Sequence, residues 1–349
     1  MNILITGGAG FIGSNFTRYW HKKFPNDTVV VYDKLTYAGN MENLTQILNE
    51  IVFVKGDICD KELFARTVKE NKIDTIVHFA AETHVDRSIY KPEDFIMTNV
   101  VGTYVILEVV RANPNIRFHH VSTDEVLGSL PLNQPELKFT EDTPYAPKSP
   151  YSASKAGSDH LVRAYINTYN IKATISNCSN NLGPYCFVEK LIPLTISRAL
   201  NNQKIPVYGS GLQVRDWIYV DDHCRGIELI LQKGKIGETC RTGEASKTGE
   251  TYFLGGDGER ENIWIIKEIL RLLNKPESLI VHVKDRLGHD ERYAMDYSKA
   301  KRELGFAPQK PISERLAETV QWYQDNVAWW QAQKPIADKL AEKYLEKVL

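Results

Sequence analysis

Tyr151 and Lys155 stand four residues apart in the run YSASK, a spacing that on a helix puts the phenol and the ammonium on one face. An ammonium held nearby lowers a phenol pKa toward neutrality, which would make Tyr151 a base for the proton of a substrate hydroxyl. By itself Y-x-x-x-K is a common chance pattern, so its weight depends on its context. Ser122-Thr123-Asp124-Glu125 lies upstream, directly after the expected strand Arg117 to Val121. Ser, Thr and Asp also cap helices, and that structural reading stands beside the chemical one. On the chemical reading Thr123 hydrogen-bonds a substrate oxygen beside Tyr151. The adjacent carboxyls of Asp124 and Glu125 then divide into acid and base if their environments split their pKa values.

Side chains so far apart in sequence need a scaffold, and the first thirteen residues supply its organising element. Asn2 to Thr6 is an apolar, β-branched run of buried-strand length, broken by Gly7, Gly8, Gly10 and Gly13, after which Phe11 to Trp20 reads as a helix. Glycines there let the backbone turn sharply, approach a pyrophosphate without Cβ atoms in the way, and pack the helix closely on its strand. The helix N-terminus then offers free N–H groups to phosphate. The spacing Gly7-x-x-Gly10-x-x-Gly13 departs from the usual G-x-G-x-x-G, so context decides between a dinucleotide site and a plain glycine turn. Thr28 to Tyr32 is a second buried strand, and Asp33 ends it, roughly 20 residues beyond the last glycine, where an acidic side chain holds the adenosine ribose hydroxyls. A dinucleotide site is predicted. Asp33 favours NAD over NADP, because a 2′-phosphate would meet a carboxylate; Lys34 beside it acts in the opposite sense.

Further strands near 51–55, 74–78, 116–122 and 172–176 alternate with amphipathic helices, the pattern of an α/β, doubly wound parallel sheet of Rossmann type. Ligands of such sheets sit beyond the carboxyl ends of the strands. The candidates are therefore Gly7 to Gly13, Asp33 to Thr36, Asp57-Ile58, Ala80 to His84 and Ser122 to Glu125. Residues 1–180 are expected to form the cofactor domain, with a helix over 220–234 and a strand over 251–254 returning to it. Residues 181–219 and 257–349 are expected to form a smaller α/β lobe, with a helix near 189–201 and strands near 205–208 and 217–219. The tail from 312 to 348 reads as helical, and its Trp322, Tyr323, Trp329 and Trp330 as a packed aromatic face rather than a binding platform. Gly237-Glu238-Thr239 recurs as Gly249-Glu250-Thr251, and residues 240–248 between them read as an inserted surface loop.

Composition excludes several classes. The 349 residues are 42% hydrophobic, enough for an ordinary core, and 43 basic against 44 acidic residues leave a net charge of −1. No overall field favours nucleic acid or an anionic membrane, so phosphate binding must be local. Five scattered cysteines, none in C-x-x-C spacing, argue against a disulfide framework and a zinc site, and no metal is expected. No signal-like segment precedes the first strand, and no uninterrupted apolar run approaches the roughly 20 residues of a membrane span. A cytoplasmic protein is expected.

With these residues in hand, the chain resembles the extended short-chain dehydrogenase/reductase superfamily, and within it the dehydratases of the NAD-dependent epimerase/dehydratase family. The likeness runs over nearly the whole chain. It includes TGGAGFIGSN at 6–15, HFAAETHVDRSI at 78–89, FHHVSTDEV at 118–126, SPYSASKAGSDHLVRA at 149–164, EKLIP at 189–193, VRDWIYVDDH at 214–223 and DRLGHDERYAMD at 285–296. The resemblance implies a 4,6-dehydration of a nucleoside-diphosphate hexose, dTDP-glucose above all, in deoxysugar synthesis. Tyr151 would remove the sugar 4-OH proton, Thr123 would hydrogen-bond that oxygen, and Lys155 would hold the cofactor ribose while hydride leaves C4 for NAD. Glu125 would then take the C5 proton and Asp124 protonate the departing C6 hydroxyl, before hydride returns to C6. Carried over residue by residue, cofactor contacts fall on Gly7, Gly10, Phe11, Ile12, Gly13, Asp33, Lys34, Leu35, Thr36, Asp57, Ile58, Ala80, Ala81, Thr83, Thr98, Tyr151, Lys155 and Asn181. Substrate contacts fall on Thr83, Asp124, Asn180, Lys190, Leu191, Pro206, Val207, Tyr208, Arg215, Asn262, Asp285, Arg286 and His289. The Asp-Glu pair distinguishes the chain from 4-epimerases of the superfamily, and a non-catalytic NAD-binding scaffold would need none of the five reacting residues. The superfamily also implies a homodimer packed through helices at about 92–112 and 151–169. Leu127, Leu182, Cys186, Val188 and Thr83 depart from the family pattern, which usually has tyrosine at the two leucine positions and serine at Thr83.

Overall fold

The run Asn2-Ile-Leu-Ile-Thr6 carries alternate apolar side chains to both faces, and in the computed structural model, which describes residues 1–236 and 249–348, it is the inner strand β1. Leu4 enters a core with Val30, Ile76, Phe118 and Ile175, whereas Ile3 and Ile5 enter another with Phe16, Trp20, Val77 and Ile227. A strand buried on both faces requires helices on both sides, and hence parallel neighbours. β1 pairs in parallel with β2 (Thr28–Asp33) and β4 (Thr75–His78); β3 (Val52–Lys55) lies beyond β2, and β5 (Arg117–Thr123) and β6 (Lys172–Cys178) lie beyond β4. The short strands β7 (Asn180–Leu182), β8 (Ile205–Tyr208), β9 (Val214–Arg215) and β10 (Trp217–Tyr219) follow before the chain returns to this sheet as β11 (Thr251–Leu254), parallel to β6. Among the described residues the sheet order is β11-β6-β5-β4-β1-β2-β3. The order reverses between β1 and β4, so a crevice opens there at the carboxyl ends of the strands.

A second apolar core gathers the helices Leu191–Leu200, Asn262–Leu272, Ile312–Asp325 and the start of Val327–Val348. The small pairs β7 with β10, β8 with β13 (Ile280–Val283) and β9 with β12 (Arg260–Glu261) join this part of the chain and its border with the large sheet. The helical tail consists of two helices, Ile312–Asp325 and Val327–Val348, separated at Asn326, whose backbone leaves the helical region. Tyr323 and Trp330 are fully buried there, and the Trp330 indole N–H donates to the Tyr323 carbonyl at 2.9 Å. These aromatics are core. Trp330→Ala is expected to cost about 3–5 kcal/mol, read as a lower urea midpoint for this part of the protein.

The helix over Pro92–Ala112 is by length and composition apolar enough to cross a membrane, a feature absent from the expectations drawn from the sequence. Half of it is buried, facing helix Pro150–Tyr169, and it contains Glu108 and Arg111. That placement is the one a core helix takes. Its Ile96–Gly102 segment is a π-helix, and Asn99 there bridges the Glu82 backbone N–H and carbonyl to the Ser154 hydroxyl. The loop after β4 is thereby fastened to the helix that carries Tyr151. Residues 240–248, read from sequence as an inserted loop, lie outside the described residues.

Candidate active site

The turn after β1 is built so that only glycine fits. Gly7 has φ +67°, and a Cβ on it would lie 2.7 Å from the Ala80 backbone nitrogen; a Cβ on Gly13 would meet the Gly7 carbonyl oxygen. Gly10 caps helix Phe11–Lys23 without a side chain, leaving the first N–H groups of the helix facing outward. Asp33, nine-tenths buried at the end of β2, accepts the Ala9 N–H at 2.9 Å and the Leu35 N–H at 2.7 Å. This cradle suits a dinucleotide: its glycines leave room for a pyrophosphate, and Asp33 is fixed for a ribose diol. Lys34 is engaged by Asp57 at 2.6 Å rather than free for a 2′-phosphate.

A cavity of about 950 Å³ runs from these glycines across the ends of β4, β5 and β6 to the second core. It brings together nearly every residue singled out from sequence. The cofactor positions Gly7, Gly10 to Gly13, Asp33, Lys34, Thr36, Asp57, Ile58, Ala80, Ala81, Thr83, Thr98 and Asn181 line it with Thr123, Asp124, Glu125, Tyr151 and Lys155. Asn180, Lys190, Leu191, Pro206, Val207, Tyr208, Arg215, Asn262, Arg286 and His289 line the remainder. Leu35 and Asp285 do not. Leu35, at φ +55°, packs against Ala9, Val31 and Leu44 and offers Asp33 only its backbone. Asp285 stands behind the wall, accepting from His289 Nδ1 at 2.7 Å and Gln213 at 3.0 Å.

The reacting groups converge because β5 ends where helix Pro150–Tyr169 begins. That helix opens with a reciprocal Ser149/Ser152 capping box and Pro150 in its first turn, which puts Tyr151 at its mouth and Lys155 one turn deeper. Thr123 ends β5, and its hydroxyl donates to Asp124 Oδ1 at 3.1 Å; Asp124 Oδ2 is buried with no partner. Burial first, then the charges of Glu125 and Asp216, push the Asp124 carboxyl well above the ordinary carboxylate range. Glu125 is also raised by burial, but Arg286, Arg215 and Lys190 pull against that rise. Adjacent carboxyls are thus set apart, one held as the acid and the other supported as the base.

Tyr151 corrects one expectation. Its phenol is not lowered; burial, then Glu125 and Cys178, push it well up, with a hydrogen bond to Thr123 opposing. The Lys155 ammonium donates to the Val121 carbonyl at 2.9 Å, so its charge is directed at the strand rather than at the phenol. For a phenol this buried, an ammonium one helical turn away does not offset the loss of solvent.

The far wall is cationic. Arg215, fully buried, donates to the Val214 and Asp290 carbonyls and lies over the Tyr293 ring at 4.3 Å. Arg286 approaches Asp86 at 3.6 Å, and Tyr208 donates to the same carboxylate at 3.1 Å. Lys190 donates to the Thr83 carbonyl at 3.0 Å, linking the second core to the loop after β4. His289 is neutral, its pKa lowered to about 4 by burial and then by Arg286. Two guanidiniums on one wall, Arg215 buried and Arg286 partly exposed, suit a diphosphate. Tyr37, Arg87, Glu189, Cys178 and Tyr293 also line the cavity and were not among the candidates from sequence. Position could have found them: Cys178 ends β6, Glu189 precedes Lys190, and Arg87 lies in the short helix Val85–Tyr90 directly after the loop that carries Thr83.

The family model described as GDP-mannose 4,6 dehydratase matches residues 4–319. A dTDP-glucose 4,6-dehydratase of Mycobacterium tuberculosis is 47% identical over 348 residues, 99% of each chain. The chain belongs to the nucleotide-sugar 4,6-dehydratase family. A dehydratase of the same name from Xanthomonas campestris is 50% identical over 348 residues, 94% of each chain. A crystal structure of the dTDP-glucose 4,6-dehydratase of Streptomyces venezuelae with NAD bound superposes with a TM-score of 0.88 at 44% identity, covering 95% of this chain and 100% of that one.

Within this 4,6-dehydratase frame the atypical positions are packed apolar sites. Leu127 is buried against Phe139, Phe253 and Tyr293 behind the cavity wall, whereas Leu182 and Cys186 line the cavity itself. Val188 belongs to the second core, and the Cys186 carbonyl accepts the Tyr323 hydroxyl at 2.5 Å. Both leucines are therefore buried apolar side chains, one in the cavity wall and one behind it.

Proposed function

We propose that this protein is the NAD-dependent dehydratase that converts dTDP-glucose to dTDP-4-keto-6-deoxyglucose. The observation that carries this reading is the contrast between two adjacent carboxyls: Asp124 has a buried oxygen with no partner and is pushed well up by burial, whereas the rise of Glu125 is opposed by Arg286, Arg215 and Lys190. An epimerase has no use for such a pair. Bound NAD supplies reversible two-electron chemistry, taking a hydride from sugar C4 and returning it to C6. The remaining work belongs to side chains. Tyr151, steadied by Thr123, takes the 4-OH proton; the C4 ketone so formed acidifies the C5 proton, which Glu125 removes. Asp124 gives its proton to the C6 hydroxyl, and water leaves. Glu125 then returns a proton to C5, so the net change is the loss of one water. Arg215 and Arg286 hold the diphosphate, with Lys190, Asn180 and Asn262 along the sugar; the buried Asn180 and Asn262 carbonyl oxygens lack partners until a ligand hydroxyl supplies one.

Residues 1–180 with 220–256 serve as the cofactor unit in this proposal, and 181–219 with 257–349 as the nucleotide-sugar lobe, in a cytoplasmic protein. The four described cysteines are free, which suits a reducing compartment. Ile96, Met97 and Tyr104 on one helix and Tyr169 on its neighbour are exposed apolar groups, and a homodimer would cover them. Light scattering on dilution should give twice the chain mass; a persistent monomer refutes the dimer.

The deciding experiment is incubation with dTDP-glucose in deuterated water, followed by mass spectrometry. Loss of one water with one deuterium fixed at C5 is expected. Unchanged dTDP-glucose in the presence of bound NAD would overturn the assignment.

A further inference from the structure

One turn beyond Lys155 on the same helix, Asp159 is fully buried and takes no part in the chemistry above. Its two oxygens accept from three directions: Ser122 Oγ at 2.8 Å, Tyr145 Oη at 2.8 Å, and His120 Nε2 at 3.0 Å. Ser122 and His120 belong to β5, and Tyr145 lies in the segment leading into the helix. Arg163, one further turn along, donates in turn to the Tyr145 oxygen at 2.9 Å. The carboxylate therefore ties the end of β5 to the helix that presents Tyr151.

The charge state matters as much as the geometry. Burial pushes the Asp159 carboxyl up, yet the His120 hydrogen bond, the charge of Lys155 and the Ser122 hydroxyl together hold it below the ordinary range. His120 is itself kept neutral, its pKa lowered to about 4 by burial and by Lys155. Three neutral donors solvate a carboxylate without cancelling its charge. Lys155 is equally buried, and its one short hydrogen bond goes to a neutral acceptor, the Val121 carbonyl. Burial lowers its pKa, and Asp159 opposes that first, with Cys178 of β6 second. The other titratable groups around Lys155 are His120 of β5 and His78 of β4, both neutral through burial, and Tyr151 on its own helix. Beyond Tyr151, Glu125 and Asp124 complete the set.

We propose that Asp159 is a positioning residue for the reaction, whose buried charge keeps Lys155 an ammonium while its grip on Ser122 fixes the strand end that carries Thr123 and Asp124. The inference rests on Lys155 serving the site described under Proposed function. It assigns a role to a residue that touches neither substrate nor cofactor.

Asp159→Asn separates charge from shape. The amide oxygen accepts from Ser122 and Tyr145, and its N–H donates to His120 Nε2 after the imidazole changes tautomer, so the network closes again. Without the carboxylate the Lys155 pKa falls further, and the ammonium is lost at lower pH. Two readouts follow this: the ¹³Cε shift of Lys155 titrated by NMR in the NAD-bound protein, and the alkaline limb of kcat. Both should move down by about one pH unit or more. Tyr145→Phe removes one hydrogen bond and keeps the charge, so its Lys155 titration should stay at the wild-type position. A Lys155 titration unmoved in Asp159→Asn, or moved downward in Tyr145→Phe, overturns the proposal, and the second variant decides if the first fails to fold. The NMR titration needs no turnover, so an inactive wild-type protein would refute the substrate assignment alone.

Discussion

Tyr151→Phe is expected to lower kcat by about 10²–10⁴-fold, the range for loss of a general base, while bound NAD and the KM for sugar nucleotide change little. The phenol ring packs edge-on to Phe95, and phenylalanine keeps that contact. What is lost is the oxygen beside Thr123 on which the 4-OH proton must land. Because burial, Glu125 and Cys178 raise the wild-type phenol, the ionised base is a minority species at neutral pH and grows with pH. Activity should therefore climb with pH until Lys155 loses its proton, since burial lowers that ammonium from above. The climbing limb should flatten once the phenol is replaced. Steady-state kinetics across pH check both points, and a variant with unchanged kcat removes Tyr151 from the chemistry.

The frame of this site was readable in the sequence wherever backbone geometry restricts residue choice. Gly7 and Gly13 are glycines because a Cβ would strike Ala80 or Gly7 itself, a demand that survives in the text of the chain. Two-sided burial of β1, β2 and β4 leaves continuous apolar runs, and with them the strand ends where ligands sit. Tyr151 and Lys155 were legible because helical spacing is local. What depended on the dielectric of the assembled cavity was not. Asp124 and Glu125 are neighbours in sequence, and only the folded protein places Arg286, Arg215 and Lys190 near Glu125, with Arg215 acting on Asp124 as well, and leaves Asp124 with an unpartnered oxygen. The direction of the Lys155 ammonium, toward Val121 rather than toward Tyr151, follows from the register of helix against strand. Leu35 and Asp285 carry motif positions but face away from the cavity, because in each case the backbone or a neighbouring side chain does the contacting. Tyr37, Glu189 and Tyr293 reach the cavity from loops whose sequences have no period to read.

Glu125→Gln should split the reaction into its halves. Glutamine keeps the volume and two-fold shape of the side chain but cannot remove a proton from C5. Oxidation at C4 needs Tyr151 and Thr123, neither of which this substitution alters. Removing a negative charge next to Tyr151 should even ease ionisation of the phenol, because Glu125 is the first charge that raises it. In a single turnover with dTDP-glucose, NADH should then form at a rate near the wild-type value and persist, with the 4-keto-6-deoxy product reduced by about 10²–10⁴-fold. Asp124→Asn offers the contrast. It removes the proton donor to the C6 hydroxyl while leaving the C5 base in place, so exchange of C5 hydrogen with solvent deuterium should continue without loss of water. Stopped-flow absorbance of NADH and mass spectrometry of the quenched sugar measure the two steps separately. If Glu125→Gln and Asp124→Asn gave the same profile, with C5 exchange abolished in both, the carboxyls would be acting as one unit. The split imposed by Arg215, Arg286 and Lys190 would then have no consequence for the chemistry. Divergent profiles would show that the charge arrangement around two adjacent residues sets which of them is acid and which is base.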